Sequence, residues 1–137
     1  MATTLFDTPV GNELTALNGK IANIGMEPNS GTSVSLADST WKTVAASQLQ
    51  PGTYLVIGSV KFTGSSTTNG QRFLIVDTSA TAESNSVSNS VVGTGRADIS
   101  RARIMQFSEA TTVYVRAYQT SGATLTAEGQ LQVARLA

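Results

Sequence analysis

The chain has 137 residues, 40% of them apolar, and its nine basic and nine acidic side chains balance to zero. That length and composition fit one domain with a buried core and exclude a disordered chain, while a neutral protein has no long-range field to draw it to a phosphate backbone or an anionic membrane. Cysteine and histidine are both absent, which excludes disulfides, thiol nucleophiles, thiolate metal sites, the Ser-His-Asp triad and the usual zinc ligands.

The N-terminal segment carries a helical pattern. Thr8-Pro9 offers a hydroxyl at the N-cap and a proline at the first helical position. Val10, Leu14, Leu17, Ile21 and Ile24 then recur as a heptad seam, with Leu14 and Ile21 at a and Val10, Leu17 and Ile24 at d. Gly25 and Pro28 supply the stop. The stripe fits a helix folded back on its own domain or a short coiled-coil stem, residues 1–27, that joins several chains; its narrowness favours the stem. Gly11 and Gly19 each cost about 1 kcal/mol in a helix interior, so the stem aligns subunits while the head domain, residues 28–137, supplies most of any interface. No basic n-region or apolar h-region opens the chain, and no apolar run reaches the roughly 20 residues that span a bilayer. The expectation is a protein folded in a cytosol, without membrane insertion.

From about residue 30 the hydrophobic period becomes two. Strands are expected over 33–36, 41–45, 53–63, 71–78, 86–92, 97–107, 111–120 and 123–136. Turn formers separate them, among them Gln50-Pro51-Gly52, Asn69-Gly70 and Ser121-Gly122. Many short strands with no helical pattern between them mean an antiparallel sandwich or barrel. Tyr54, Val56, Val60 and Phe62 share one face, with a gap at Gly58; Leu55, Ile57, Ser59, Lys61 and Thr63 share the other. Phe73-Leu74-Ile75-Val76 has no alternation at all. Strands apolar on both faces need cover on both, and a neighbouring subunit is expected to supply the second.

Candidate functional residues are few. Tyr114, Arg116 and Tyr118 share one face of their strand, and an Arg between two tyrosines suits stacking on a base or sugar. An intersubunit contact, where Tyr and Arg are enriched, is favoured. Ile99, Arg101, Arg103, Met105 and Phe107 share a face, and the two arginines point to ion pairs with Asp98, Glu109 or Glu128 of the same or a neighbouring chain. Hydroxyl- and amide-rich loops around Ser65, Thr67 and Asn69, and around Ser84 and Asn85, are where a saccharide would be hydrogen-bonded; they read equally well as soluble connectors. Trp41, the sole tryptophan, suits a sugar platform or, more often at a strand start, core or interface. Carboxylates occur singly, Gly93-Thr94-Gly95 opens no helix, and no calcium-loop spacing is present. No enzymatic activity, cofactor or metal is expected.

One set of strands resembles a known family. The Gln50-Pro51-Gly52 turn runs into Thr53-Tyr-Leu-Val-Ile-Gly-Ser-Val-Lys-Phe62. Trp41-Lys-Thr-Val-Ala45 precedes it, and Val113-Tyr-Val-Arg-Ala-Tyr118 and Leu125-Thr-Ala-Glu-Gly-Gln-Leu-Gln-Val-Ala-Arg-Leu136 follow. From about Thr32 to Ala137 this pattern resembles jelly-roll heads of the C1q and tumour-necrosis-factor type, and within them the head domains of bacteriophage fibres. The resemblance implies a tight homotrimer of antiparallel jelly-roll sandwiches in a virion, made in the bacterial host's cytoplasm. Implied partners are two further copies, other virion proteins through the stem, and a host-surface receptor or glycan. The chain departs from the animal relatives in lacking a collagen Gly-X-Y stalk and cysteines. A capsid decoration or head fibre is the alternative, favoured by the short stem. A secreted cytokine-like ligand is disfavoured by the missing signal peptide.

Overall fold

A computed structural model describes residues 31–64, 70–83, 87–90 and 96–137. They form eight strands: β1 (Ser33–Leu36), β2 (Lys42–Leu49), β3 (Gly52–Thr63), β4 (Gln71–Asp77), β5 (Val87–Ser90), β6 (Ala97–Phe107), β7 (Thr111–Gln119) and β8 (Leu125–Arg135). Two antiparallel four-stranded sheets result, in the orders β1-β8-β3-β6 and β2-β7-β4-β5. The chain changes sheet at every connection except β4 to β5, which is the double Greek key of a jelly roll. The all-β antiparallel expectation holds for the described residues. The helical stem, with Val10, Leu14, Leu17, Ile21 and Ile24, lies outside them.

The core is the space between the inner faces. In β3, Tyr54, Val56, Val60 and Phe62 point inward and are at most 2% exposed, and the alternate residues are half-buried on the outside. Val44, Leu74, Val76, Val113 and Val115 meet them from the other sheet. The gap at Gly58 has an occupant. A Cβ there would stand 2.5 Å from Cγ2 of Val76 and 2.9 Å from Cγ2 of Val115. Gly129 on β8 plays the same part against Val44, whose Cγ2 and carbonyl oxygen would each lie 2.5 Å from an added Cβ. Each glycine lets valines of the facing sheet approach the backbone itself.

Three expectations need correction. First, β2 continues four residues beyond the expected 41–45. Its register against β7 shifts between Thr43 and Ala45, so Val44 and Ala45 are both buried, and Leu49 still closes the core. A bulge breaks the period of two on which the reading rested. Second, the outer side of β4 is not left for a neighbouring subunit to cover. Ile75 faces outward yet is fully buried, and its cross-strand partner Arg116 donates from Nη1 to the Ala82 carbonyl at 2.6 Å. The segment after β4 therefore folds back over that face.

Third, neither Arg101 nor Arg103 is in an ion pair among the described residues. Lys61 holds Glu128 at 3.0 Å and Arg96 holds Asp98 at 3.3 Å. Arg103 donates instead from Nη1 to the Val76 carbonyl at 2.5 Å. The β4–β5 register runs from Gln71 to Leu74 among the described residues, and the guanidinium of the opposite sheet takes up the carbonyl of Val76 two residues on. A buried carbonyl without a donor would be costly.

Replacing Gly58 with alanine should destabilise the protein by about 1–3 kcal/mol, because the two valines cannot both retreat from a packed core. Denaturant unfolding should show a lower midpoint for Gly58→Ala, partly restored by Val76→Ala in the same chain. Unchanged stability in the single variant would mean that the sheets separate freely at this point.

Candidate functional site

With the inner faces consumed by packing, the chemistry available to a partner lies on the two outer faces and the two ends. On the β1-β8-β3-β6 sheet, register aligns Ala134, Leu55 and Ile104 in one row and Gln132, Ile57 and Ala102 in the next. Ile104 is 72% exposed and Leu136, just beyond β8, 40%. Exposed Ile104 and half-buried Leu55 and Ile57 thus make one half of this face aliphatic. The other half is polar, with rows Gln130, Ser59, Ser100 and Glu128, Lys61, Asp98. An open depression of about 590 Å³ borders it, lined by Thr32, Ser33, Lys61 and Gln130 among others. Folding places Asp98 and Glu128 on either side of Lys61, a juxtaposition that the isolated carboxylates of the sequence did not reveal. Each carboxylate is committed to a cation, so the depression offers hydrogen bonds to a polar group.

The β2-β7-β4-β5 sheet carries the residues expected at an interface. Tyr114, Arg116 and Tyr118 all point outward from β7, opposite Asp77, Ile75 and Phe73 of β4. Arg116 is only 8% exposed; its guanidinium is held by Ala82 and lies 5.8 Å from the centre of the Trp41 ring. Tyr118 lies 4.9 Å from Trp41, tilted by 31°, and 5.5 Å from Phe73, edge-on. Trp41 is therefore not a core residue. It belongs to a half-buried aromatic group on the outer face, built from one residue before β2, one on β7 and one on β4. Tyr114 stands apart, across from Ala46 and Asp77. Phe73 is the outward residue of a strand whose inward positions are Leu74 and Val76, an alternation that the unbroken apolar run conceals.

Beneath the aromatic group a polar clamp ties the end of the sandwich together. Gln119 is fully buried. Its Nε2 donates to the carbonyls of Leu36 at 3.1 Å and Ala123 at 2.6 Å, and its Oε1 accepts from the Ser121 N–H at 2.6 Å. The Ser39 N–H donates to the Gln119 carbonyl, and the Gly122 N–H to Asp38 Oδ1. Arg72, the cross-strand neighbour of Gln119, is also fully buried, with its guanidinium 5.9 Å from the Phe62 ring centre. Burial pushes its pKa below the ordinary arginine value.

Ser65, Thr67, Asn69, Ser84 and Asn85 lie outside the described residues. The flanks of their loops sit at opposite ends of the sheets: Gln71 bonds to Thr120 beside the Gln119 clamp, whereas Asp77 pairs with Tyr114. Among the described residues no group of three or more metal-ligating side chains occurs, and no helix is long and apolar enough to cross a membrane.

No protein-family model matches the chain, and no curated protein sequence does. Solved structures give low-identity likenesses. A chain in the structure of infectious bursal disease virus Gx strain matches at 12% identity and a TM-score of 0.46, covering 81% of this chain and 34% of that one. This chain therefore spans about a third of that viral chain. A chain from the disulfide-linked pili of Bacillus endospore appendages matches at 16% identity and a TM-score of 0.48, covering 82% of this chain and 88% of that one. The globular domain of zebrafish complement 1qA protein matches at 14% identity and a TM-score of 0.42, covering 77% and 95%. Likeness at this level says nothing of what the chain binds.

Replacing Gln119 with leucine should remove its three hydrogen bonds to the Leu36 and Ala123 carbonyls and the Ser121 N–H, and cost about 1–3 kcal/mol. The loss should be local as well as global. Hydrogen exchange should accelerate most at the amides of Ser39, Ser121 and Gly122; uniform acceleration across all eight strands would contradict a clamp confined to this end.

Proposed function

We propose that the chain is the non-enzymatic head of a bacteriophage virion fibre, assembled as a homotrimer and turned toward a receptor or glycan on the host surface. The observation that carries the reading is the apolar half of the outer β1-β8-β3-β6 face. Leu55, Ile57, Ala102, Ile104 and Ala134 form a contiguous apolar surface across three strands, with Ile104 largely in solvent. Contiguous apolar surface of this kind marks an interaction site on a soluble protein. A second and third copy of the same chain would bury it, and the polar rows around Lys61 and Glu128 would form the rim. Self-association then rests on the head, and the stem sets alignment and attachment to other virion proteins. Tyr118, on the opposite sheet, is left facing outward beside Trp41 and Phe73. Three copies of a weak site on one rigid head give avidity well above that of a single site.

The virion setting rests on the resemblance of the strand pattern to phage fibre heads, and antibody labelling of particles separates a fibre tip from a capsid decoration. The assembly is tested by light scattering. Both the full chain and a version starting at Pro28 should run at three times the protomer mass, which is 14.2 kDa for the full chain. Ile104→Asp should reduce both to monomers with an unchanged β-sheet circular dichroism spectrum. A monomeric parent protein, or a trimer indifferent to Ile104→Asp, would overturn the proposed interface.

A further inference from the structure

The outer β2-β7-β4-β5 face holds a feature that self-association through the other sheet does not use. Trp41, Tyr118 and Phe73 come from three neighbouring segments of that sheet, and their rings lie 4.9 to 6.4 Å apart. All three are half-buried and none belongs to the core. The Trp41 indole N–H and the Tyr118 hydroxyl have no partner among the described residues, yet neither is sealed from solvent. An aromatic body with an open polar tip is the form in which Trp and Tyr meet amphipathic partners.

The platform is also held in place. Arg116 packs against Trp41 and is fixed by the Ala82 carbonyl. Tyr118 is followed, and Phe73 preceded, in its strand by a fully buried residue of the inner face, Gln119 and Arg72 respectively. Around the rings stand hydroxyl and amide groups: Thr43 beside Arg116, exposed Gln71 beside Phe73, and Thr120 beyond Gln119. Arg116, whose guanidinium lies over the Trp41 ring, is almost wholly buried and engaged with a carbonyl, so among the described residues this surface offers hydrogen-bonding groups and half-buried rings.

We infer that Trp41, Tyr118 and Phe73 form a binding subsite for a neutral saccharide. A pyranose has an apolar C–H face that packs on an aromatic ring and a rim of hydroxyls that the indole N–H, the Tyr118 hydroxyl, Gln71 and Thr120 can bond. The subsite deepens the host-recognition part of the proposed function and rests on it for its biological setting. Its chemistry stands on the ring geometry alone. A small number of placed polar groups over an apolar floor is the usual make-up of a ligand site.

Because Trp41 is the sole tryptophan, its emission reads the subsite directly. The full chain is titrated with chitohexaose and with maltoheptaose, and with polygalacturonic acid as the anionic counterpart. A saturable emission change with a neutral oligosaccharide at millimolar concentration is expected. Tyr118→Ala should weaken it roughly tenfold, and Gln71→Ala, at an exposed position, should weaken it by a smaller factor. Tyr114→Ala should leave it unchanged. Light-scattering mass and circular dichroism confirm that each variant is folded; if Tyr118→Ala is not, Gln71→Ala and Tyr118→Phe carry the comparison. An emission that neither neutral sugar moves, a response to the anionic polymer alone, or equal affinity in the folded variants would overturn the subsite. Host-cell adsorption of the parent protein keeps the two ideas apart. Adsorption without a sugar response removes the subsite and leaves the proposed function standing, and a sugar response without adsorption does the reverse.

Discussion

The two sheets come into close contact where Gly58 faces Val76 and Val115 and where Gly129 faces Val44. A close-packed interior transmits that spacing outward. With glycine at these points the flanking inward residues of β3, Val56 and Val60, can be large and still fully buried. It also brings the edge strand β6 near enough for Arg103 to reach the Val76 carbonyl of the opposite sheet. A methyl group at either glycine would push the sheets apart and loosen both arrangements at once.

The outer faces differ because the cover differs. On one sheet the chain returns over β4 and buries Ile75, and Arg116 is drawn inward to hold that return in place. What remains outside is aromatic and amphipathic. On the other sheet no described segment of the chain covers Ile104, and half the face stays aliphatic. A surface with hydrogen-bonding tips suits a hydroxylated ligand, and a bare aliphatic surface suits another protein surface of the same kind. The two proposals therefore fall on different sheets and do not compete for the same residues.

Much of this was legible in the sequence, and the exceptions have physical causes. β1 and β6 lie where alternation places them because each keeps a strict period of two. β2 was cut short because its bulge puts two neighbouring residues into the core. The double-sided apolar run of β4 needs two covers, and a sequence does not say whose atoms supply the second. Arg103 looked like half of an ion pair because charge is the obvious property of an arginine; its partner is a backbone carbonyl, which no residue letter advertises. The aromatic subsite was half visible. Trp41 and Tyr118 stood out as residue types, whereas their meeting with Phe73 depends on the strand order β2-β7-β4, which only the folded chain displays.

The same strand order governs how the molecule can come into being. Of the pairings that build the sheets, only β4 with β5 joins strands adjacent in sequence. β8 lies between β1 and β3, so among the described strands β1 has no sheet partner until β8 has been made. Contacts of such long sequence separation slow folding, because loop-closure entropy is lost before the contacts that offset it can form. A chain still being synthesised must hold Leu36, Val56 and Phe62 without the strand that finally shields them. Acquisition of a native fold, and with it any association between copies, is thereby deferred until translation has passed β8.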